Sequence, residues 1–173
     1  MDKHHVGGAM NPCPCGYYNH LEKECSCGDG MIKRYLSRIS GPLLDRIDIH
    51  LEVAPVPFKE LTEVSDSESS ETMRLIVIRA RKIQEKRFEK IGQINVNAQM
   101  GSGLMRRYCC LDRAGRTIIG LAMERLGLSA RSYDRILKVA RTIADLDDSD
   151  NILPAHAAEA INYRNLDREG WMG

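Results

Sequence analysis

Aromatic side chains are scarce in this chain, at 5% of 173 residues, with a single Trp and two Phe. A core built here must therefore be aliphatic, and apolar content of 43% is enough to supply one. Net charge is also nearly absent: 25 Lys and Arg stand against 24 Asp and Glu. The overall balance gives no argument for or against a polyanionic partner. No apolar run approaches the roughly 18 residues that a membrane-spanning helix needs, and the start shows no leader pattern. The expected location is cytoplasmic, with no membrane partner. Nowhere does Gly-x-x-x-x-Gly-Lys-Ser/Thr occur, so no loop of that kind can cradle nucleotide phosphates. An apolar run ending in Asp-Glu, which would hold magnesium, is missing too.

Six cysteines are present. In a reducing compartment they read as metal ligands or buried thiols before disulfides. Cys13 and Cys15 lie in Asn11-Pro-Cys-Pro-Cys15, and Cys25 and Cys27 follow ten residues later. Two Cys-x-Cys arms around a short loop can place four thiolates about one ion, and zinc is the usual occupant of a tetrahedral sulfur site. Four protein ligands leave no open position, so such a site is structural. His20 is the alternative fourth ligand. Cys109 and Cys110 are adjacent and point about 100° apart on a helix, which reads as two buried thiols. His4 and His5 read as tail.

Residues 46–53 alternate: Ile47, Ile49, Leu51 and Val53 against Asp48, His50 and Glu52. That pattern predicts a half-buried strand, ended by Pro55 and Pro57. Its only candidate neighbour is the stretch 6–10, and an isolated strand or pair is marginal. The chain therefore reads as beginning inside a domain. Helices are predicted over 31–40, about 70–91, 103–109, 112–126, 129–145 and 154–163. Gly92 and Gly127 serve as stops, Ser129 as a cap and Pro154 in a first turn. Helix 129–145 carries a stripe of Tyr133, Ile136, Leu137, Ala140, Ile143 and Ala144. The helices of 112–163 are expected to form the stable core. Charge is segregated: residues 60–71 are acidic, and 74–90 hold seven bases against Glu85 and Glu89. With Arg106, Arg107, Arg113 and Arg116, that basic helix is a candidate DNA-facing surface, set against the plain reading of a solvated face.

Three blocks carry a resemblance: 9–18, which holds the first cysteine pair, then Arg34-Tyr-Leu-Ser-Arg-Ile-Ser-Gly-Pro-Leu-Leu-Asp-Arg-Ile-Asp48, and 128–146 together with 156–164. They resemble the magnesium-chelatase-like branch of the AAA+ ATPases, and within it the DNA branch-migration helicases that act on incoming DNA. The resemblance implies a mainly α fold. Residues 1–57 would be the tail of an α/β nucleotide-binding core and 58–173 a helical lid. It also implies three site residues. Asn11 would be a sensor that orients water at the γ-phosphate. Arg46 would be an arginine finger reaching the neighbouring subunit's ATP. Arg131 would be a second sensor, with Arg135 as its competitor. Arg34 and Arg38 lie close enough to be mistaken for the finger, or would touch DNA. In a full-length context the family implies ATP and magnesium, branched or single-stranded DNA, and a homo-hexamer. The chain alone is expected to be monomeric and unable to hydrolyse ATP. Two other readings remain open: a zinc-stabilised DNA- or protein-binding module, and a motor subunit for inserting magnesium into a porphyrin.

Overall fold

The computed structural model describes residues 6–20, 22–53 and 68–164. The acidic stretch 60–67 and the prolines at 55 and 57 lie outside the described residues, as do His4 and His5. Seven α-helices are present among the described residues. α1 (Asp29–Leu36) and the single turn α2 (Gly41–Leu44) follow the cysteine loop. α3 (Ser70–Phe88) leads through a 3-10 turn (Asn97–Gln99) to α4 (Ser102–Tyr108), α5 (Arg113–Leu126), α6 (Ala130–Leu146) and α7 (Pro154–Asn162).

Local chemistry explains the boundaries. Ser69 accepts from the Thr72 amide at the start of α3, Asp112 from the Gly115 amide at α5, and Ser129 from the Ser132 amide at α6. Each relieves one of the unpaired donors that open a helix. Gly127 ends α5 with φ of 60°, a left-handed conformation that costs glycine no Cβ clash. Pro154 occupies the first turn of α7, where its missing N–H is no loss.

α6 is the central helix. It packs on α3, α4, α7 and the 3-10 turn, and α7 packs in addition on α5. Ile136, Leu137, Ala140 and Ala144 of its stripe are buried, joined by Ile119, Ile152, Ala157 and Ala160. Phe88, Met100 and Met105 complete the core, so it draws on residues before 112 as well. Tyr133 sits at the stripe's exposed edge. A second, small cluster of Cys13, Ile32 and Leu36 sits beneath the cysteine loop.

The strand predicted over 46–53 does not form, and no named strand occurs among the described residues. Residues 51–53 have neither helix nor ladder, and Val53 is 85% exposed. The pattern is that of a strand, but a strand is stabilised by the ladder of its neighbours, and no described residue supplies one. The stretch 6–10 is likewise unpaired. α6 ends at Leu146, inside the acidic run that starts at Asp145.

Candidate functional site

The four cysteines converge. Cys13 Sγ lies 3.3 Å from Cys15 Sγ and 3.7 Å from Cys25 Sγ, and Cys15 to Cys25 is 3.5 Å. With Cys27, all four sulfurs lie within 4.8 Å of one another. A tetrahedron with metal–sulfur bonds of about 2.3 Å has edges of about 3.8 Å. The spacing thus suits four ligands about one ion, and every cysteine is a free thiol rather than half of a disulfide. The turn that brings the first pair round is closed by the Gly16 amide donating to the Cys13 carbonyl at 3.0 Å, with Gly16 at φ of 84°. Only glycine adopts that conformation freely. His20 is not part of the cluster: its Nδ1 accepts from the Glu22 amide, and its ring meets Tyr17 edge-on.

The thiols differ sharply in acidity. A backbone hydrogen bond from Tyr17 is the largest influence on Cys15. It outweighs burial and, with help from the Cys13 and Cys27 thiols, brings the group down to about 5. Cys25 has a backbone hydrogen bond at Cys27 that favours its thiolate, yet burial and the neighbouring thiols together push it up to about 12. Cys27 is raised for similar reasons, burial and the Cys15 and Cys13 thiols overcoming the Cys15 backbone. Four sulfurs packed this closely resist carrying several negative charges unless a cation compensates them.

Asn11 is exposed, and its amide lies beside Gly16, 3.7 Å from where a Cβ at that position would stand. It therefore belongs to the cysteine loop, and no hydrogen bond joins it to Arg46 or Arg131. Arg131 reaches the segment that carries Arg46, through Asp45. The Asp45 carboxylate accepts from Ser129 Oγ at 2.8 Å, Ser132 Oγ at 2.6 Å and Arg131 at 3.2 Å. Arg164, fully buried, lies 3.9 Å from Asp45, donates to Ser132 Oγ at 3.2 Å and also donates to the Ile47 carbonyl. Asp48 pairs with Arg135. The His50 amide donates to the Tyr163 carbonyl at 2.8 Å. Residues 45–50 are thereby clasped to the start of α6 and the end of α7.

Arg46 sits in the middle of this clasp. It is exposed and makes no ion pair among the described residues. Both acids able to neutralise it, Asp45 and Asp48, are engaged by arginines of α6. Arg131 keeps one contact to Asp45 while its side chain remains 57% exposed. Spacing arguments name Arg46 and Arg131 but miss Asp45, Ser132 and Arg164. Those contacts span 32 to 117 positions, and no periodicity encodes them.

Partial burial works to raise the Asp45 carboxyl, but the Ser132 and Ser129 hydroxyls, with Arg131 and Arg164, outweigh it and hold its pKa below the ordinary value. A depressed carboxylate stabilises the fold above its unfolded pKa and loses that contribution as pH falls through the folded one. The clasp should therefore open only below the usual aspartate range, about pH 4. Amide protection of His50 reports it. Asp45→Asn should expose that amide at neutral pH and remove the acid dependence, and unchanged protection would show that Asp45 does not hold the clasp.

The basic surface also sorts itself. Arg87 is not on it, because it is bound to buried Asp145, and Arg79 is paired with Asp148 at 3.3 Å. Arg116 donates to the Leu111 carbonyl. Arg34 is exposed, while Arg38 stacks on Tyr35 at 5.8 Å. Of the two adjacent thiols only Cys109 is buried; Cys110 lies past the end of α4, exposed. No helix among the described residues is long and apolar enough to cross a membrane.

Fold and site define a helical module with a four-cysteine loop able to hold a metal ion and an arginine-bearing segment clasped to its central helix. The chain belongs to the magnesium chelatase family. Residues 67–164 match the family described as magnesium chelatase, subunit ChlI C-terminal, and residues 3–61 match magnesium chelatase, subunit ChlI. Over 161 residues, 92% of the chain, it is 42% identical to the competence protein ComM of Haemophilus influenzae and equally to the protein YifB of Escherichia coli. A Mycobacterium bovis protein is 32% identical over 156 residues, 90% of the chain. The chain spans 30% of the length of each of these relatives.

Proposed function

We propose that this chain is the C-terminal portion of an ATP-driven AAA+ motor, a DNA branch-migration helicase acting in recombination of incoming DNA in the cytoplasm. Residues 1–57 belong to its nucleotide-binding core and 58–173 to its helical lid. The observation that carries the reading is Arg46, exposed and uncompensated while both flanking carboxylates are held by α6. An arginine so placed is suited to act on phosphate in a neighbouring subunit, because guanidinium stays charged and bridges phosphate oxygens. Arg131 completes the same site from the lid. Asn11 orients water from the core. Zinc in the cysteine cluster is structural and rigidifies the loop that carries Asn11.

Within a homo-hexameric motor, Arg46→Ala should lower ATP hydrolysis by about 10³-fold or more while leaving ATP binding intact. Mixing Arg46→Ala subunits with subunits whose phosphate-binding loop is disabled should restore part of the activity if the finger acts across the interface. Hydrolysis unaffected by Arg46→Ala would refute the assignment. The chain alone, lacking a phosphate-binding loop, should release no phosphate from ATP. The magnesium-inserting alternative is less well supported, because the cysteine loop and the 42% identity point to the competence-type relatives.

A further inference from the structure

The clasp, the metal loop and the core leave one strongly charged surface without a role. At the end of α3 and the end of α4 the two helices meet over Tyr108. Its hydroxyl donates to the Arg87 carbonyl at 3.5 Å, and its ring meets Phe88 edge-on at 5.9 Å. The Arg107 guanidinium lies over the same ring at 5.1 Å. Residues 86–90 and 104–110 hold five bases, Lys86, Arg87, Lys90, Arg106 and Arg107, and one acid, Glu89. Arg87 is spent on Asp145. The other four are exposed, and none makes an ion pair among the described residues.

We propose that Lys86, Lys90, Arg106 and Arg107 form a phosphate-tracking surface that holds nucleic acid against the helical module. The proposal rests on the reading that the chain works on DNA, and it names the surface that does so. Three observations favour a nucleic-acid backbone as the occupant. The cations are uncompensated, as a polyanion requires. Lys86, Arg106 and Arg107 come from two helices joined by an aromatic contact and Lys90 from the turn just after α3, so their spacing is set before binding. Stacking on Tyr108 restrains the Arg107 side chain and leaves its donors without a carboxylate, which lowers the ordering cost of a phosphate contact. Tyr108 itself is half-buried between Arg87 and Phe88, so it is not free to stack on a base. Binding should accordingly be salt-sensitive and indifferent to sequence.

The test is fluorescence anisotropy of a labelled single-stranded oligonucleotide titrated with the chain at several salt concentrations. Removing three cations with Lys90→Ala, Arg106→Ala and Arg107→Ala should reduce the slope of log affinity against log salt by about 2, near 0.7 per phosphate lost. A matched triple, Lys33→Ala, Arg74→Ala and Arg125→Ala, changes net charge equally and should keep most of the slope. Cys110 supplies a second readout, since its exposed thiol bonds back to the carbonyls of Arg106 and Arg107. Bound DNA should slow its alkylation, mapped by peptide mass spectrometry, in the wild type but not in the first triple variant. If both triples weaken binding equally, or neither does, DNA binding stands and this surface is wrong. If the wild type fails to bind even at low salt, both the surface and the DNA reading of this chain are overturned.

Discussion

Cys13→Ser is expected to abolish metal binding and to unravel the cysteine loop while leaving the helical core folded. The small cluster under the loop has only Cys13, Ile32 and Leu36 fully inside, with tyrosines and the other cysteines around them. Three buried side chains offset only a small share of the entropy lost in ordering the loop. A structural zinc adds folding free energy outright, because its ligands are brought together only in the folded loop. Cys13 is the most sensitive position because its sulfur is 0% exposed and lies against two of the other three. Native mass spectrometry of the wild type should show one zinc per chain, absent in Cys13→Ser and in Cys25→Ser. Hydrogen exchange should show protection lost over 13–36 and retained over α5 to α7. A wild-type chain that refuses added zinc, with unchanged protection in the variants, would remove the metal from this account.

Asp145→Ala should cost about 3–5 kcal/mol, the largest loss expected from one substitution in the helical core. Asp145 is fully buried at the end of α6. It accepts from Arg87 at 2.7 Å, Arg141 at 3.1 Å and Asn97 Nδ2 at 2.7 Å. Arg141, also buried, continues to the carbonyls of Asp150 and Ser149 and so fixes the turn into α7. Burial is the main influence on Arg141 and lowers its pKa, with the nearby Arg87 adding to the effect; Asp145 opposes both. Without that carboxylate two guanidinium groups remain inside with no counter-charge, and each must recruit water or leave the core. The midpoint of thermal unfolding should fall by more than 10 °C, since about 1 kcal/mol moves a domain of this size by roughly 4–8 °C. Asp145→Asn keeps the shape and one acceptor and should lose less. A fall of only a degree or two in Asp145→Ala would mean the cluster is dispensable.

Part of this was legible in the chain. The helices of 112–163 could be read because each carries its own signals: an aliphatic stripe at helical spacing, Ser129 as cap, Gly127 as stop and Pro154 in a first turn. The cysteine cluster was legible for a similar reason. Two Cys-x-Cys arms ten residues apart are a local pattern, and local geometry alone brings the sulfurs near one another.

Other expectations failed where neighbours decide. Residues 46–53 alternate as a strand does, but a ladder needs a partner, and these residues spend the Ile47 carbonyl and the His50 amide on Arg164 and Tyr163 instead. Arg87 looks like one more base in a basic helix, yet its carboxylate lies 58 positions away. Cys110 looks like the twin of Cys109, but α4 ends at Tyr108 and the two thiols part company. What the sequence by itself determined is the helical character of the chain, its stops and caps, and the convergence of four cysteines in one loop, all consequences of short-range periodicity and backbone preference. Tertiary structure alone decided which charges are buried, which are paired and which face outward. Charge pairing follows distance in space, and a carboxylate such as Asp45 is assigned to Ser132, Arg131 and Arg164 only when the folded helices carry them there.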